Sequence, residues 1–416
     1  MKVSSLPYLE RTRMITVDEA IKLIIKNMPA PKFHNINLED VKNTILHEAL
    51  TADRPLPPFN RVAMDGIAID SASWVSGIRT FPIAECQQAG EPQKKLNDRK
   101  ACIEVMTGAV LPEGCNCVIR YEDLSINKNQ ATISDNLVIE PMLNVHPKGA
   151  DSQTGDLLVT AGTRMHSPQV AIAASVGKNK FKAPIYPRIA VVSTGDELIE
   201  IEHPPQPHQI RRSNIYGIYT ALKQHGFDHV TTLHLPDNKN ILYTELDKLL
   251  AAHDVIILSG GVSMGKFDYV PEILSDLKVR EIFHKIRQKP GKPMWFGIGR
   301  NNQLVFGLPG NPVSALITLH RYVLTSLYQQ AGFPLKKHQP YGRLTKDIKF
   351  NKEMCLFAPV TIEYCSDASI HATPTKNNGS GDFVSLARTD GFLELPAEQK
   401  VYRSGECYPL FLWGSK

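Results

Sequence analysis

The 416-residue sequence predicts a multi-domain protein of class α/β plus β: a central parallel α/β domain, a helical domain carrying an inserted β module, and a C-terminal β barrel or sandwich. Three observations predict it. From Pro187 onward, nearly continuous apolar runs alternate with helical segments of a dozen or so residues, which is the pattern of strands covered on both faces. Residues 51–145 and 334–416 instead show short alternating runs broken by Pro, Gly and Asn, the texture of antiparallel β structure. The length itself exceeds what one hydrophobic core organises, so two to four domains are expected.

In chain order, ITVDEAIKLIIKN (15–27) places Thr16 and Glu19 at capping-box spacing ahead of apolar residues at helical intervals. A second helix is expected after Asn37, with Leu38, Val41, Ile45 and Leu46 on one face. The β module follows over 51–145, in runs such as ACIEVMTGAVLPEGCNCVIRYEDL and QATISDNLVIEP. In SPQVAIAASVG, Ser167 can cap a helix, Pro168 suits its first position and Gly177 its end. Helices therefore bracket the β module, which implies a split helical domain (1–50 plus 146–186) interrupted by an insert (51–145). RIAVVST, NIYGIYTALKQHG, HVTTLHLP, KNILYTELDKLLAAH and DVIILSGG then read as strand, helix, strand, helix, strand within an α/β domain spanning 187–333. RLTKDIKF, LFAPVTIEY, GFLELP and CYPLFLW are the strands of the last unit, 334–416.

Composition excludes several function classes. Hydrophobic residues make up 42% and charged residues 21% of the chain, values of an ordinary globular protein. The 47 basic and 42 acidic residues leave a net charge of +5. With no polybasic block, that suits anionic small molecules and does not point to nucleic acid. Seven cysteines form no CxxC pairs, and Cys115-Asn-Cys117 reads as reduced thiols, so no zinc or soft-metal centre is expected. The N-terminus lacks the apolar run of a signal peptide, and no segment reaches about 18 apolar residues, so a cytoplasmic, non-membrane protein is expected.

Ligands of open α/β sheets bind beyond the carboxyl ends of the strands. Four unusual loops fall at such ends: STGDEL (193–198), the Pro236-Asp237 turn, SGGVSMGKFD (259–268) and GLPGNPVSAL (307–316). Glycine pairs and helix N-termini let backbone N–H groups approach an oxyanion. Glu197, Asp237 and Asp268 add hard oxygen donors, so together the loops suggest a phosphate cradle with a Mg²⁺ site. Lys285, Arg287 and Lys289 share one face if HKIRQK is extended, and three cations on one face imply an anion. Asp65, in LPPFNRVAMDGIAID, reads as an acid on a turn at the edge of the β module.

PPFNRVAMDGIA, VMTGAVLPEG, GADSQTGD, STGDEL, SGGVSMGKFDYV, KPGKPMWFG and GLPGNPVSA, in this order, resemble the molybdopterin molybdenumtransferases, bacterial MoeA and the E domain of gephyrin, from about residue 15 to the C-terminus. The resemblance implies a molybdopterin-adenylyltransferase-like central domain, a C-terminal β barrel and an elongated homodimer. It places the active site between the α/β domain of one subunit and the inserted β domain of the other. It implies adenylylated molybdopterin and molybdate as substrates, Mg²⁺ as cofactor, release of AMP, and a molybdopterin adenylyltransferase as pathway partner. By the same likeness Asp65, Glu197 and Asp268 are catalytic, and Glu197, Asp237 and Asp268 hold the metal. Lys285 and Lys289 host molybdate. Substrate is bound by Thr107, Asp151, Ser193, Thr194, Gly260, Gly261, Ser263, Gly265, Pro309, Gly310, Asn311, Pro312, Ser314 and Ser380.

The sequence departs from the family at Asn60-Arg-Val62, at His146 and Ala150, at Ile210-Arg-Arg-Ser-Asn214 and at Pro359. The departures at 60–62 and 146–150 keep open an alternative, a catalytically weakened paralogue acting as a cofactor-binding or scaffold protein. A nucleotide-processing hydrolase of the CinA type would share only the α/β domain and would leave Asp65 unexplained.

Overall fold

The structure is a computed structural model that describes residues 14–41, 44–261, 269–331, 339–376 and 378–414. The chain forms two compact units, one of residues 1–34, 43–45 and 182–416 and one of residues 35–42 and 46–181. The architecture is multi-domain, with a central α/β domain, an inserted β module and a closed barrel at the C-terminal end.

In the first unit, helix α1 (Val17–Lys26) begins as its sequence dictates. The Thr16 hydroxyl accepts from the Glu19 N–H while the Glu19 carboxylate accepts from the Thr16 N–H, and Val17, Ala20 and Ile24 are buried. The central sheet is built from β1 (Ile189–Thr194), β2 (Val230–Leu235), β3 (Val255–Ser259), β4 (Arg280–His284), β5 (Trp295–Ile298) and β6 (Leu304–Leu308). Their order across the sheet is β2-β1-β3-β6-β5-β4. The first four run parallel, while β5 is antiparallel to both β6 and β4, so the sheet is mixed rather than wholly parallel. Helices α2 (Ser213–Gln224) and α3 (Lys239–Ala252) make the crossovers. Every residue of β1, β3 and β6 is buried, which is why these segments read as continuous apolar runs. One core lies on each face, one around Ile218, Leu222, Phe296 and Phe306, the other around Leu242, Leu246, Ile256 and Trp295.

Helices α4 (Val270–Asp276) and α5 (Pro312–Thr318) follow β3 and β6. From α5 the chain continues through a π-helical turn, Leu319–Leu324, into helix Thr325–Gln330. Five strands, β7 (Tyr341–Leu344), β8 (Cys355–Tyr364), β9 (Ile370–Pro374), β10 (Gly391–Leu395) and β11 (Cys407–Leu412), then close a barrel in the order β8-β9-β7-β11-β10, with β10 pairing back onto β8. Closure leaves no free edge among these strands. Arg321 and Glu394 join the π-helical turn to the barrel, Nε to carboxylate at 2.5 Å, with both side chains largely buried.

In the second unit six strands lie in the order Cys117–Arg120, Gly66–Ile69, Cys102–Val105, Thr80–Gln87, Gln130–Ile133 and Leu124–Asn127. Cores on both faces explain the buried Ile67, Ile69 and Phe81 on one side and Val62, Ile103 and Val118 on the other. A short helix, Ser71–Val75, breaks the β texture and is capped by the Asp70 side chain. All seven cysteines are free. Burial pushes the Cys115 and Cys117 thiols up to about 12.

Three local expectations are corrected. Among the described residues no helix forms after Asn37: Leu38–Asp40 make a single 3₁₀ turn, Asn37 supplies no side-chain cap, and Val41 is extended. Leu38, Val41 and Leu46 still converge on one core, so their apolar character served burial rather than a helical face. The helix at SPQVAIAAS starts one residue early, with His166 rather than Ser167 at the cap. HKIRQK is not one strand: β4 ends at His284, Lys285 has φ +76, Ile286 makes an isolated parallel bridge with Ile15, and Gln288–Lys289 pair with β8 of the barrel.

Two outcomes are expected. A Cβ on Gly66 would lie 1.9 Å from the Ile119 carbonyl, whereas one on Gly381 would meet nothing within 4 Å. Thermal melts should therefore show Gly66→Ala destabilised by about 2 kcal/mol or more and Gly381→Ala near wild type. His225 is held down to about 4 by burial first and by neighbouring His320 second. A His depressed in the folded state contributes stability that is complete above pH 6.5 and is lost as pH falls from 6.5 toward 4, here up to about 3 kcal/mol. Urea midpoints at pH 8 and pH 4.5 should differ less in His225→Asn than in wild type.

Candidate functional site

The cleft of the first unit forms where β1, β2, β3 and β6 end. Because β1 pairs with β2 on one side and β3 on the other, the crossovers leave in opposite directions and open a crevice at the carboxyl ends, the position where such sheets bind ligands. Its volume is about 560 Å³.

Four strand ends and the loops after them line it: Ser193, Thr194, Gly195 and Glu197 at the end of β1, Asp237 after β2, Ser259, Gly260 and Gly261 at the end of β3, and Pro309 to Pro312 after β6. Glycine is required at the close approaches. A Cβ on Gly261, where φ is +66, would lie 2.6 Å from Thr194 Oγ1 and 2.9 Å from Val270 Cγ2. The Glu197 carboxylate folds back over Gly195, within 2.5 Å of where a Cβ would stand. The Asp237 N–H donates to Asp196 Oδ1 at 3.0 Å, tying the second loop to the first.

Ten of the expected residues of this unit therefore meet at one sheet edge: Ser193, Thr194, Glu197, Asp237, Gly260, Gly261, Pro309, Gly310, Asn311 and Pro312. The Ser193 hydroxyl is engaged by His234 Nδ1 at 3.1 Å. Ser380 stands beside the cleft, its hydroxyl accepting from the Asn311 amide at 2.9 Å. Ser314 is buried inside α5 and is not among the lining residues. Lys285 and Lys289 do not line the cleft either: the left-handed turn at Lys285 breaks the strand alternation, and Lys289 Nζ lies 6.0 Å over the Phe350 ring. Ser263, Gly265 and Asp268 lie outside the described residues.

Other lining residues were not expected. A parallel pairing of Leu198–Ile199 with Ile210–Arg211 carries Ile210 to Ile215 into the cleft wall. The Asn214 amide donates to Ser259 Oγ at 3.1 Å and to the Gly310 carbonyl at 2.7 Å, so one side chain ties the start of α2 to the loops after β3 and β6. The available signal was the Ser-Asn pair directly ahead of a helical period. Among the described residues no three His, Cys, Asp or Glu side chains are grouped closely enough to hold a metal. Glu197 and Asp237 are the carboxylates lining the cleft, two hard oxygen donors of the kind Mg²⁺ takes while keeping several waters.

In the second unit, the Asp65 carboxylate accepts from the Thr107 N–H at 2.6 Å. That backbone hydrogen bond first, and the Thr107 hydroxyl second, hold the Asp65 carboxyl below its usual range, so it is ionised at neutral pH. His146 Nε2 meets Asp151 Oδ1 at 3.0 Å, and Arg61 reaches His146 Nδ1 at 3.3 Å, across the Arg61–Val62 and Val145–His146 pairing. Asn60 Oδ1 accepts from the Lys148 N–H at 2.9 Å. The altered residues of the two segments thus bond to one another.

Three family descriptions match successive parts of the chain: MoeA N-terminal region (domain I and II) over 15–177, probable molybdopterin binding domain over 190–329, and MoeA C-terminal region (domain IV) over 341–413. The class so defined is that of multi-domain proteins built around a probable molybdopterin binding domain, and the cleft lies within that domain. A molybdopterin molybdenumtransferase of Synechocystis sp. is 41% identical over 96% of this chain and all of its own length. One from Haemophilus influenzae is 32% identical over 94% of this chain and 97% of its own. The crystal structure of a molybdopterin biosynthesis MoeA protein from Pyrococcus horikosii superposes with a TM-score of 0.80 at 26% identity, covering 97% of this chain and all of that one. The chain belongs to the molybdopterin molybdenumtransferase family.

The close approach at Gly261 makes a testable contrast. Gly261→Ala should lower the melting temperature by several degrees and weaken ligand binding. Gly310→Ala, whose Cβ would meet nothing nearer than 3.8 Å, should leave the melt unchanged. Differential scanning calorimetry checks both.

Proposed function

We propose that this protein is a molybdotransferase of molybdenum cofactor biosynthesis that inserts molybdenum from molybdate into adenylylated molybdopterin, with hydrolysis of the phosphoanhydride and release of AMP. What most supports the reading is the cleft at the switch point of the sheet, where glycine-loop amides and two carboxylates face the same space. Backbone N–H groups at Gly261 and Gly310 hold phosphoryl oxygens, because neither residue has a side chain to keep an anion away. Glu197 and Asp237, with Asp268 as a third acid, would hold Mg²⁺. When bound, the ion would neutralise charge on the anhydride oxygens.

In this reading the protein acts as a cytoplasmic homodimer. Asp65, Thr107 and Asp151 come from the inserted β domain (51–145) and the adjoining helical domain of the second copy. Asp65, ionised and oriented by Thr107, is suited to accept a proton or a hydrogen bond at the reacting end. Lys285 and Lys289 are assigned to molybdate, a role that requires them to turn toward the cleft. The four-part division at 1–50 plus 146–186, 51–145, 187–333 and 334–416 belongs to the same reading, as does a molybdopterin adenylyltransferase supplying the substrate. Among the described residues no helix is long and apolar enough to cross a membrane.

The placement of Lys285 and Lys289 outside the lining favours a second reading, a weakened paralogue that binds the cofactor without turnover. Incubation with adenylylated molybdopterin, molybdate and Mg²⁺ decides between them. AMP release with formation of active cofactor is expected, and tight pterin binding without AMP would support the second reading. Glu197→Gln, Asp268→Asn and Asp65→Asn should each reduce AMP release about 100-fold with melting temperatures near wild type. Turnover retained by any one of them removes that residue from the mechanism.

A further inference from the structure

The side chain of Asn214 does nothing for the helix that carries it. Asn214 is the second residue of α2, behind the cap position held by Arg212, and no side chain caps that helix. Asparagine is a weak helix former whose usual place is the cap itself. Here its amide turns elsewhere, donating to Ser259 Oγ at 3.1 Å and to the Gly310 carbonyl at 2.7 Å, 45 and 96 positions away. A carbonyl only accepts, so the Gly310 bond fixes which end of the amide faces it. The side chain is half-buried, while α2 keeps its place in the core through Ile215 and Ile218.

The two acceptors belong to the two glycine loops of the cleft. Ser259 ends β3 and is followed by Gly260 and Gly261, both at positive φ, and Gly310 lies in the lining segment Pro309 to Pro312 after β6. The loops run close together, since a Cβ on Gly310 would lie 3.8 Å from Gly260 Cα. Gly310 is the pliable point of its loop: it has no side chain to pack and a broad choice of backbone angles, whereas Pro309 and Pro312 have fixed φ and no N–H to donate. Asn311 is tied on the far side, its amide donating to Ser380 Oγ at 2.9 Å. On the near side the bond from Asn214 holds the Gly310 carbonyl, and the planar peptide transmits that hold to the Asn311 nitrogen.

We propose that Asn214 is a positioning residue of the cleft: it sets the spacing of the loops after β3 and β6, and so the separation at which the Gly261 and Gly310 N–H groups meet a phosphoryl group. The role rests on reading the cleft as the site of the adenylylated substrate, and it names what keeps the two anion-binding loops in register. Asn214 acts through those loops and not on the reacting atoms, so its loss weakens phosphoryl binding and leaves the chemical groups in place.

Titration calorimetry of the full chain with AMP, run well below the melting temperature, and AMP-release kinetics on adenylylated molybdopterin test it on wild type, Asn214→Ala, Asn214→Leu and Ser259→Ala. Asn214→Ala should weaken AMP about tenfold and raise KM about as much, with kcat changed less. Asn214→Leu keeps the volume but loses both donors, so the same losses are expected of it. Ser259→Ala removes one of the two acceptors and should cost less, and the double variant with Asn214→Ala should lose less than the product of the single losses. A merely structural role would lower the melting temperature and the amount of active enzyme while the folded protein kept its AMP affinity and KM. That result in Asn214→Ala, or in Asn214→Leu where the alanine variant does not fold, overturns the positioning role and leaves the proposed reaction standing. Weakened AMP binding in the variants without AMP release by wild type would instead remove the reaction and leave the role standing, and no AMP binding by wild type would remove both.

Discussion

The parallel pairing of β1 with β3 is the constraint on which the cleft depends. It sets Ser193 beside Ser259, so Thr194 and Gly260 leave the sheet as neighbours and the loops that follow start within an atom's width of each other. Gly260 and Gly261 make that possible: a Cβ at either would fall within 3.0 Å of Thr194. Once the loops are so placed, the first residues of α2 fit between them, and the Asn214 amide locks three segments with two hydrogen bonds.

The packing around the cleft keeps that edge rigid. The core on one face of the sheet continues into the barrel, since Phe306, Tyr322, Phe357 and Phe392 belong to one cluster. The largely buried Arg321 and Glu394 cross the same boundary. Burial lowers the Arg321 pKa while its partner raises it, and the partner prevails, so the guanidinium stays charged. Breaking one partner of such a pair is far more damaging than never having had it, because the other charge is left uncompensated.

The second unit carries its acids on a different support. Asp65 is held by a backbone donor from Thr107, while Asp151 is reached through His146, and His146 in turn through Arg61. For both contacts to be hydrogen bonds, His146 must be neutral with its proton on Nε2, since Arg61 can only donate. Residues 61 and 146 are cross-strand partners, so a change at either is felt directly by the other.

Much of the fold was legible in the sequence because its elements are locally determined. The capping box at Thr16 and Glu19, the apolar runs of β1 and β3 and the glycine-rich strand ends all express constraints acting within a few residues. For the same reason the loops that meet at the sheet edge could be chosen by position alone. The failures were cases where the same residue types serve another purpose. Leu38, Val41 and Leu46 are apolar because they fill a core, not because they share a helix, and HKIRQK alternates in burial while its backbone turns left-handed at Lys285. The place of Asn214 was hidden because it arises from contacts at long range: a two-residue parallel pairing brings the chain into the cleft, and Asn214 meets partners 45 and 96 positions away. The sequence alone determined which segments are strands and helices and which loops carry glycine and acid, since those follow from local sterics and periodicity. Only the tertiary structure decided which side chains face the same cavity, because that depends on sheet order and register, and no local pattern encodes them.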